Sequence, residues 1–186
     1  GDWTATEVVS ATYTIVETKT FTKVMSDSEL SAGDKIIIVY ETDNVAMAGQ
    51  VTGSKPYRNK TDVTINNNTI EVADGSDVQV LTLEAADEKQ YRFNTGDGYL
   101  SYVSSGNYLT TVTTISTTKD RRPAAITILD GNADIIFHLL TGESGTPSRY
   151  LRYNNNTDQE RFSCYNSTMK KVQVYKLAAP KECVEL

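Results

Sequence analysis

Two stretches of this chain share the same sequence pattern, and that repetition constrains the fold more than any other feature. Residues 96–112 (GDGYLSYVSSGNYLTTV) hold two short runs around a Ser-Ser-Gly-Asn turn, and residues 148–166 (SRYLRYNNNTDQERFSCYN) hold two more. Superposing their Tyr-Leu pairs matches Leu100 with Leu151. Alternation of apolar and polar residues within these runs is typical of β-strands, so each stretch predicts a β-hairpin.

A strand-like run lies before and after each hairpin, which predicts units of four strands. These flanking runs are residues 91–93, 124–129, 134–139 and 172–177. A more divergent unit is expected upstream, with strands at 34–40, 45–50, 57–60 and 62–65, and residues 69–84 remain as an extra hairpin. Three units of four strands is the plan of a β-trefoil-like barrel, closed by six strands and capped by three hairpins; a β-sandwich is the alternative.

The rest of the chain supports an all-β class. Thr, Val, Ile and Tyr are abundant, and turn residues such as Asp, Gly and Asn separate the apolar runs. One helical signal stands out, because Ser26 and Glu29 form a capping box that Gly33 follows as a stop. That segment is about one turn long, so helix contributes little to the predicted fold.

Strand alternation divides the hairpin side chains between two faces. Tyr102 and Tyr153 are expected to point inward, whereas Tyr99, Tyr150 and Arg152 are expected to point outward. One shared core is predicted for Leu100, Leu109, Ile126, Ile128, Phe137, Leu151, Phe162 and Val174.

The charge balance excludes some partners. The 186 residues include 24 acidic and 18 basic side chains, a formal net charge of −6. Such a surface repels phosphate backbones and anionic lipid, so neither nucleic acid nor membrane insertion is expected. The longest aliphatic run, residues 36–39, is far shorter than the roughly 20 residues of a membrane-spanning helix, and residues 1–20 lack signal-peptide features. Two cysteines, Cys164 and Cys183, are too few for a disulfide scaffold.

No motif in the sequence indicates catalysis or a cofactor. His138 is the one histidine, and the chain has no G-x-S-x-G elbow for it to serve; Ser144 lies in a Gly-rich turn. The acidic residues fall mostly in turns, where the backbone itself favours Asp. One histidine with two distant thiols gives no zinc spacing, and the DGSD and TGDGY turns lack a calcium-loop pattern. We therefore predict a protein that is not an enzyme and needs no metal or cofactor.

Several motifs, in order, resemble a known module. SAGDKIIIVYE, SDVQVLTLEA, FNTGDGYLSYVSSGNYLTT, NADIIF and RYLRYNNN…RFSCYNS…VQVYK are similar, over residues 20–177, to an all-β module of large exported multidomain proteins of gut Bacteroidetes. Residues 3–16 resemble the last strand of the C-terminal domain of chitobiases and β-hexosaminidases. The resemblance implies an exported or cell-surface context with neighbouring domains as partners. It divides the chain into a remnant or linker (1–18), the β-trefoil-like module (19–178) and a tail (179–186).

Tyrosine is the residue type that most suggests a ligand, with 11 Tyr against one Trp and four Phe. A Tyr ring offers an apolar face and a polar edge, which suits a sugar. The predicted ligand-binding residues are the outward hairpin side chains Tyr99, Tyr108, Tyr150 and Arg152, together with Asn154, whose amide is expected to supply hydrogen bonds nearby. The sequence thus predicts a non-catalytic carbohydrate-binding module with a glycan partner. The alternative is a structural or protein-interaction module that spaces or docks neighbouring domains.

Overall fold

A computed structural model describes most of the chain. The described residues are 17–86, 90–103, 106–113, 123–137, 149–166 and 168–179. The expectations for residues 3–16, His138, Ser144 and Cys183 therefore concern positions outside the described residues.

Strands make up nearly all regular structure in these ranges, together with two short 3-10 helices at Asp27–Glu29 and Glu41–Asp43. The first eight strands are β1 (Thr18–Lys23), β2 (Lys35–Tyr40), β3 (Val45–Val51), β4 (Tyr57–Asp62), β5 (Ile65–Asn66), β6 (Thr69–Ala73), β7 (Leu81–Ala85) and β8 (Gln90–Asn94). The others are β9 (Tyr99–Val103), β10 (Tyr108–Val112), β11 (Ala124–Leu129), β12 (Asn132–Phe137), β13 (Arg149–Asn154), β14 (Arg161–Tyr165) and β15 (Gln173–Leu177). The all-β prediction is confirmed.

Nine of these strands form a closed barrel. The antiparallel ladders run in the order β2–β3–β4–β14–β13–β12–β11–β8–β7, and β7 pairs back onto β2. The β9–β10 hairpin extends from β8, and β15, β1, β6 and β5 extend in turn from β2. Closure pairs the strand edges that a Thr- and Val-rich chain would otherwise expose. The sheet is thus a barrel rather than the alternative of two packed sheets.

The barrel encloses the main hydrophobic core. All eight residues predicted to share a core are buried in this one cluster: Leu100, Leu109, Ile126, Ile128, Phe137, Leu151, Phe162 and Val174. Tyr102 and Tyr153 are fully buried there as well, as predicted from strand alternation. Tyr153 stacks on Tyr40 with ring centroids 4.9 Å apart.

A second core lies on the outer side of β2. Ile36 and Ile38 face the barrel interior, whereas Ile37 and Val39 pack into a separate cluster with Phe21. The outer strands β1 and β6, which pair with one another, supply this cover. Burial on both faces explains why the aliphatic run at 36–39 is continuous rather than alternating.

The local predictions hold in part. Ser26 accepts a hydrogen bond from the Ser28 amide, and Glu29 completes the capping box, as expected. The expected strand at 62–65 is wrong, because β4 runs to Asp62 and β5 starts at Ile65. The extra hairpin predicted over 69–84 is also wrong. The two strands in this segment, β6 and β7, do not pair with each other: β6 pairs with β5, and β7 pairs with β2 and β8. Sequence periodicity predicts strands but does not specify which of them pair.

Candidate functional site

The two matched hairpins have the same register. Tyr102 lies opposite Leu109 in β9–β10, and Tyr153 lies opposite Phe162 in β13–β14. Each pair places a buried tyrosine against a buried apolar side chain. Residues matched by superposing the Tyr-Leu pairs therefore also occupy equivalent positions in the hydrogen-bonded ladders of the two hairpins.

Three strands, β4, β10 and β14, begin beside one another. The Leu109 amide donates to the Pro56 carbonyl at 3.0 Å, which ties the start of β10 to the start of β4. Phe162 of β14 pairs with Arg58 of β4. The Ser163 hydroxyl donates to the Asn107 carbonyl at 2.7 Å and ties β14 to β10. The three strand starts are thus held together by hydrogen bonds on every side.

A cleft of about 220 Å³ opens where these strands begin, and we call it the β4/β10/β14 cleft. Its lining residues are Lys55, Tyr57, Asn107, Tyr108 and Arg161. Tyr57, Tyr108 and Arg161 are the first residues of the three strands, and all three are half-buried. Equivalent positions of three strands therefore supply the two aromatic rings and the guanidinium.

The charges of the cleft are all positive. The Arg161 guanidinium lies over the Tyr57 ring, with Cζ 5.1 Å from the ring centroid, a cation–π arrangement. Its Nε donates to the Tyr165 hydroxyl at 3.3 Å. Lys55 and Asn107 are exposed at the rim, and no carboxylate is among the lining residues.

Gly106 determines where the Tyr108 ring lies. A methyl group built at Gly106 would come within 2.5 Å of a Tyr108 ring carbon. That separation is far below van der Waals contact, so only glycine lets the ring fold back over the preceding backbone. Gly106 thus determines where the Tyr108 ring lies at the cleft.

A part-buried polar cluster connects the strands that carry the two tyrosines. The Arg58 guanidinium donates to Gln79 Oε1 at 3.0 Å and to the Thr111 hydroxyl. Gln50 Nε2 donates to the carbonyls of Tyr57 and Leu109 at 2.9 and 3.0 Å. These bonds join β3, β4 and β10, so they hold the residues that flank the cleft in place.

Arg58 occupies an unusual position in this cluster. By the strand pairing it corresponds to Leu109 and Phe162, which are apolar. Burial lowers the pKa of Arg58 to about 10, partly offset by the charge of Asp97. Its hydrogen-bond acceptors are neutral, which is why the network around it needs several partners.

The structure places only Tyr108 of the five predicted ligand-binding residues in this cleft. Tyr99 is half-buried, and its hydroxyl donates to Glu84 Oε2 at 2.9 Å. That hydrogen bond raises the pKa of Tyr99. Tyr99 and Tyr108 lie on paired strands but four ladder positions apart, because Tyr99 pairs with Val112 and Tyr108 pairs with Val103.

The expectation that Arg152 points into solvent is wrong. It is 2% exposed, its guanidinium pairs with Asp134, and Cζ lies 4.5 Å from the Tyr150 ring centroid. Asp134 also pairs with Lys171 at 2.7 Å. Alternation fixes the direction in which a side chain leaves the strand, but a long side chain can fold back onto its neighbours. One face of the Tyr150 ring is therefore already covered.

Asn154, whose amide is expected to hydrogen-bond a ligand, is only 2% exposed. Its Oδ1 accepts from the Asn156 amide at 3.0 Å, the geometry of an Asx turn. Its Nδ2 lies 3.5 Å from Gln159 Oε1. The amide is thus used to shape the turn between β13 and β14.

Sequence reasoning missed Lys55, Tyr57, Asn107 and Arg161 of the cleft. The signal that would have found the central ones is the position of Tyr57, Tyr108 and Arg161 at the start of a strand after a turn. The superposition used the Tyr-Leu pairs in the first strand of each hairpin. The predicted site residues were therefore taken mainly from those first strands and not from the starts of the second strands.

No helix in the described ranges is long and apolar enough to cross a membrane. Those ranges also hold no group of three or more His, Cys, Asp or Glu side chains arranged to hold a metal ion. Cys164 is a buried free thiol, and burial raises its pKa.

Comparisons with known proteins gave no relatives. No protein-family model matches the chain, and no curated protein or solved structure matches it.

Proposed function

We propose that this chain is a non-catalytic carbohydrate-binding module and that the β4/β10/β14 cleft is its sugar site. The observation that carries the proposal is the convergence of two half-buried tyrosine rings, Tyr57 and Tyr108, with Arg161 and Asn107 in one cleft. Aromatic faces suit the C–H face of a sugar ring, and amide or guanidinium donors suit its hydroxyls.

The size of the cleft supports a small part of a glycan as the ligand. At about 220 Å³ it is smaller than the roughly 300–1,000 Å³ of pockets for drug-sized molecules. One sugar unit at a shallow site is expected to bind with millimolar to high-micromolar affinity, about −4 to −6 kcal/mol. Neighbouring copies or domains would then raise avidity through effective concentration.

The same proposal includes a β-trefoil-like plan of three four-strand units. Six strands support it by pairing in the cyclic order β2, β7, β8, β11, β12, β15. In that ring the Ala133–Val172 bridge links β12 to the residue that directly precedes β15. The hairpins β3–β4, β9–β10 and β13–β14 then belong to successive units, with β7 as the fourth strand of the first. On this plan the cleft lies where the three hairpins meet.

The wider context remains the one that the resemblance implies. The module would belong to an exported or cell-surface multidomain protein of a gut bacterium, next to other domains of the same polypeptide. A weak glycan site suits that setting, since its task would be to hold a larger protein against a glycan.

The test is a glycan array followed by titration of the best glycan. We expect Tyr57→Ala and Tyr108→Ala to weaken binding about tenfold or more, since each removes a ring from the cleft. Tyr99→Ala and Tyr150→Ala are the matched controls, because both residues are half-buried hairpin tyrosines that do not line the cleft. Loss of binding in the controls alone would move the site to Tyr99 and Tyr150. Circular dichroism must show that each variant is folded.

One observation favours the alternative of a structural or protein-interaction module. A larger, mostly apolar groove of about 630 Å³ runs beside β1 and the end of β15. Its lining residues are Thr18, Lys19, Thr20, Thr22, Thr69, Leu177, Ala178 and Ala179. An apolar groove of this kind is typical of a surface that another protein covers. If no glycan on the array binds the folded protein, this alternative becomes the better proposal.

A further inference from the structure

We infer that the β4/β10/β14 cleft selects an acidic sugar, whose carboxylate is bound by Arg161 and Lys55 while its ring lies against Tyr108. The inference rests on the proposed function and adds the chemical class of the ligand. It is carried by the charge of the cleft and by the unused donors of its two cations.

Arg161 has free hydrogen-bonding capacity. Nε donates to the Tyr165 hydroxyl at 3.3 Å and the ring of Tyr57 supports one face of the guanidinium. Within the described ranges neither terminal nitrogen of Arg161 has a hydrogen-bond acceptor. A guanidinium held by its Nε and its face presents the two remaining nitrogens as a fork, the geometry that binds a carboxylate through two parallel bonds.

Lys55 adds a second cation at the rim. It is exposed, and it makes no ion pair with any residue that the structure describes. In contrast, Arg152, the one cation among the hairpin residues first expected to bind a ligand, is already paired with Asp134. Anion selectivity thus belongs to Arg161 and not to Arg152.

The overall acidity of the protein does not oppose this selectivity. The formal net charge is −6, but charges beyond about 8 Å are largely screened at physiological ionic strength. The lining residues carry two positive charges and none that is negative. Arg161 and Lys55 are therefore the charged groups that a carboxylate meets in the lining of the cleft.

The experiment compares methyl galacturonoside with methyl galactoside, which differ in the carboxylate at C6, and uses sodium acetate for the charge without the ring. Amide chemical shifts of the ¹⁵N-labelled full chain report where each probe binds. We expect the acidic glycoside to shift the amides of Tyr57, Tyr108 and Arg161 and to bind about tenfold more tightly than the neutral one, the factor of a charge-assisted hydrogen bond. Arg161→Gln should remove that preference, whereas Arg92→Gln, which deletes the same charge outside the cleft, should keep it.

The outcomes separate this inference from the function on which it rests. Equal binding of both glycosides in the cleft overturns the acidic selectivity and leaves sugar binding intact. Equal shifts with acetate overturn it too, because the ring is then not recognised. If neither glycoside shifts the cleft amides, the inference fails, and the glycan array decides the proposed function separately. Retained preference in folded Arg161→Gln also overturns it.

Discussion

The guanidinium of Arg161 lies over the ring of Tyr57, with Cζ 5.1 Å from the ring centroid. The two residues are more than a hundred positions apart in the chain, yet each is the first residue of its strand. The contact exists because Phe162, which follows Arg161, pairs with Arg58, which follows Tyr57. A single ladder position therefore brings a cation and an aromatic face to the same cleft.

Substitution of Gly106 should impair the cleft without unfolding the protein. In Gly106→Ala the new methyl group would meet the Tyr108 ring at 2.5 Å, so the ring must move. We expect weaker binding of the glycan found on the array, with a melting temperature within about 4 °C of wild type. Gly49→Ala is the matched control, because a methyl group there meets nothing within 4 Å. Unchanged glycan binding by Gly106→Ala would mean that the Tyr108 ring position is irrelevant.

Truncation of Leu151 should be costly. Leu151 is 1% exposed and lies in the barrel core opposite Cys164. Leu151→Ala is expected to lower the free energy of unfolding by about 2–5 kcal/mol, from lost burial and a residual cavity. Urea denaturation measures the change, and Leu129→Ala, at a side chain 73% exposed, should leave it nearly unaltered. A loss below about 1 kcal/mol at Leu151 would contradict the packing described.

Asp134 should contribute stability that is lost in acid. Burial alone raises its pKa, but hydrogen bonds and charges of Lys171 and Arg152 outweigh burial and hold the pKa below its ordinary 3.8. A carboxyl with a lowered folded pKa stabilises the fold above its unfolded pKa, and this stability is lost as the pH falls through the folded value. The wild type should therefore lose stability below about pH 4.

The variant Asp134→Asn tests that contribution. At pH 7 we expect a loss of about 1–3 kcal/mol, because the buried Arg152 loses its charged partner. The difference from wild type should shrink as the pH is lowered below 3.8. Asp77→Asn, an exposed carboxyl, serves as the control in urea titrations at both pH values. A difference that stays constant with pH would contradict the assigned role.

Tyr153 should tolerate removal of its hydroxyl. That hydroxyl is buried and has no hydrogen-bond partner among the described residues. Tyr153→Phe is therefore expected to keep or slightly increase the free energy of unfolding at pH 7, since it removes an unsatisfied polar group. A loss above about 1 kcal/mol in urea denaturation would show that the hydroxyl has a partner.

The same residue should titrate late in alkali. Burial, followed by the charges of Asp43 and Glu160, raises the pKa of Tyr153 from 10.0 to about 12. A raised folded pKa contributes stability that is full below pH 10 and lost as the pH rises towards 12. Absorbance of tyrosinate during a pH titration should thus show one fewer late-titrating group in Tyr153→Phe than in wild type.

Much of the framework followed from local pattern. The alternation of apolar and polar residues predicted the all-β class, and the Ser26–Glu29 capping box was readable because its residues are three apart in the chain. The matched Tyr-Leu pairs placed Leu100 and Leu151 in one core, where both are buried. These features depend on side-chain direction within one strand or one turn, which strand geometry fixes without tertiary contacts.

Tertiary structure decided which side chains are available to a ligand. The sequence placed Arg152 outward, but only the folded chain brings Asp134 and the Tyr150 ring within its reach. In the sequence Tyr57 and Arg161 are far apart and share no motif, and only the pairing of β4 with β14 makes them neighbours. Alternation is a one-dimensional property of a strand, whereas exposure and charge pairing depend on which distant strands lie alongside it. The local fold was therefore legible in the sequence, and the composition of the cleft was not.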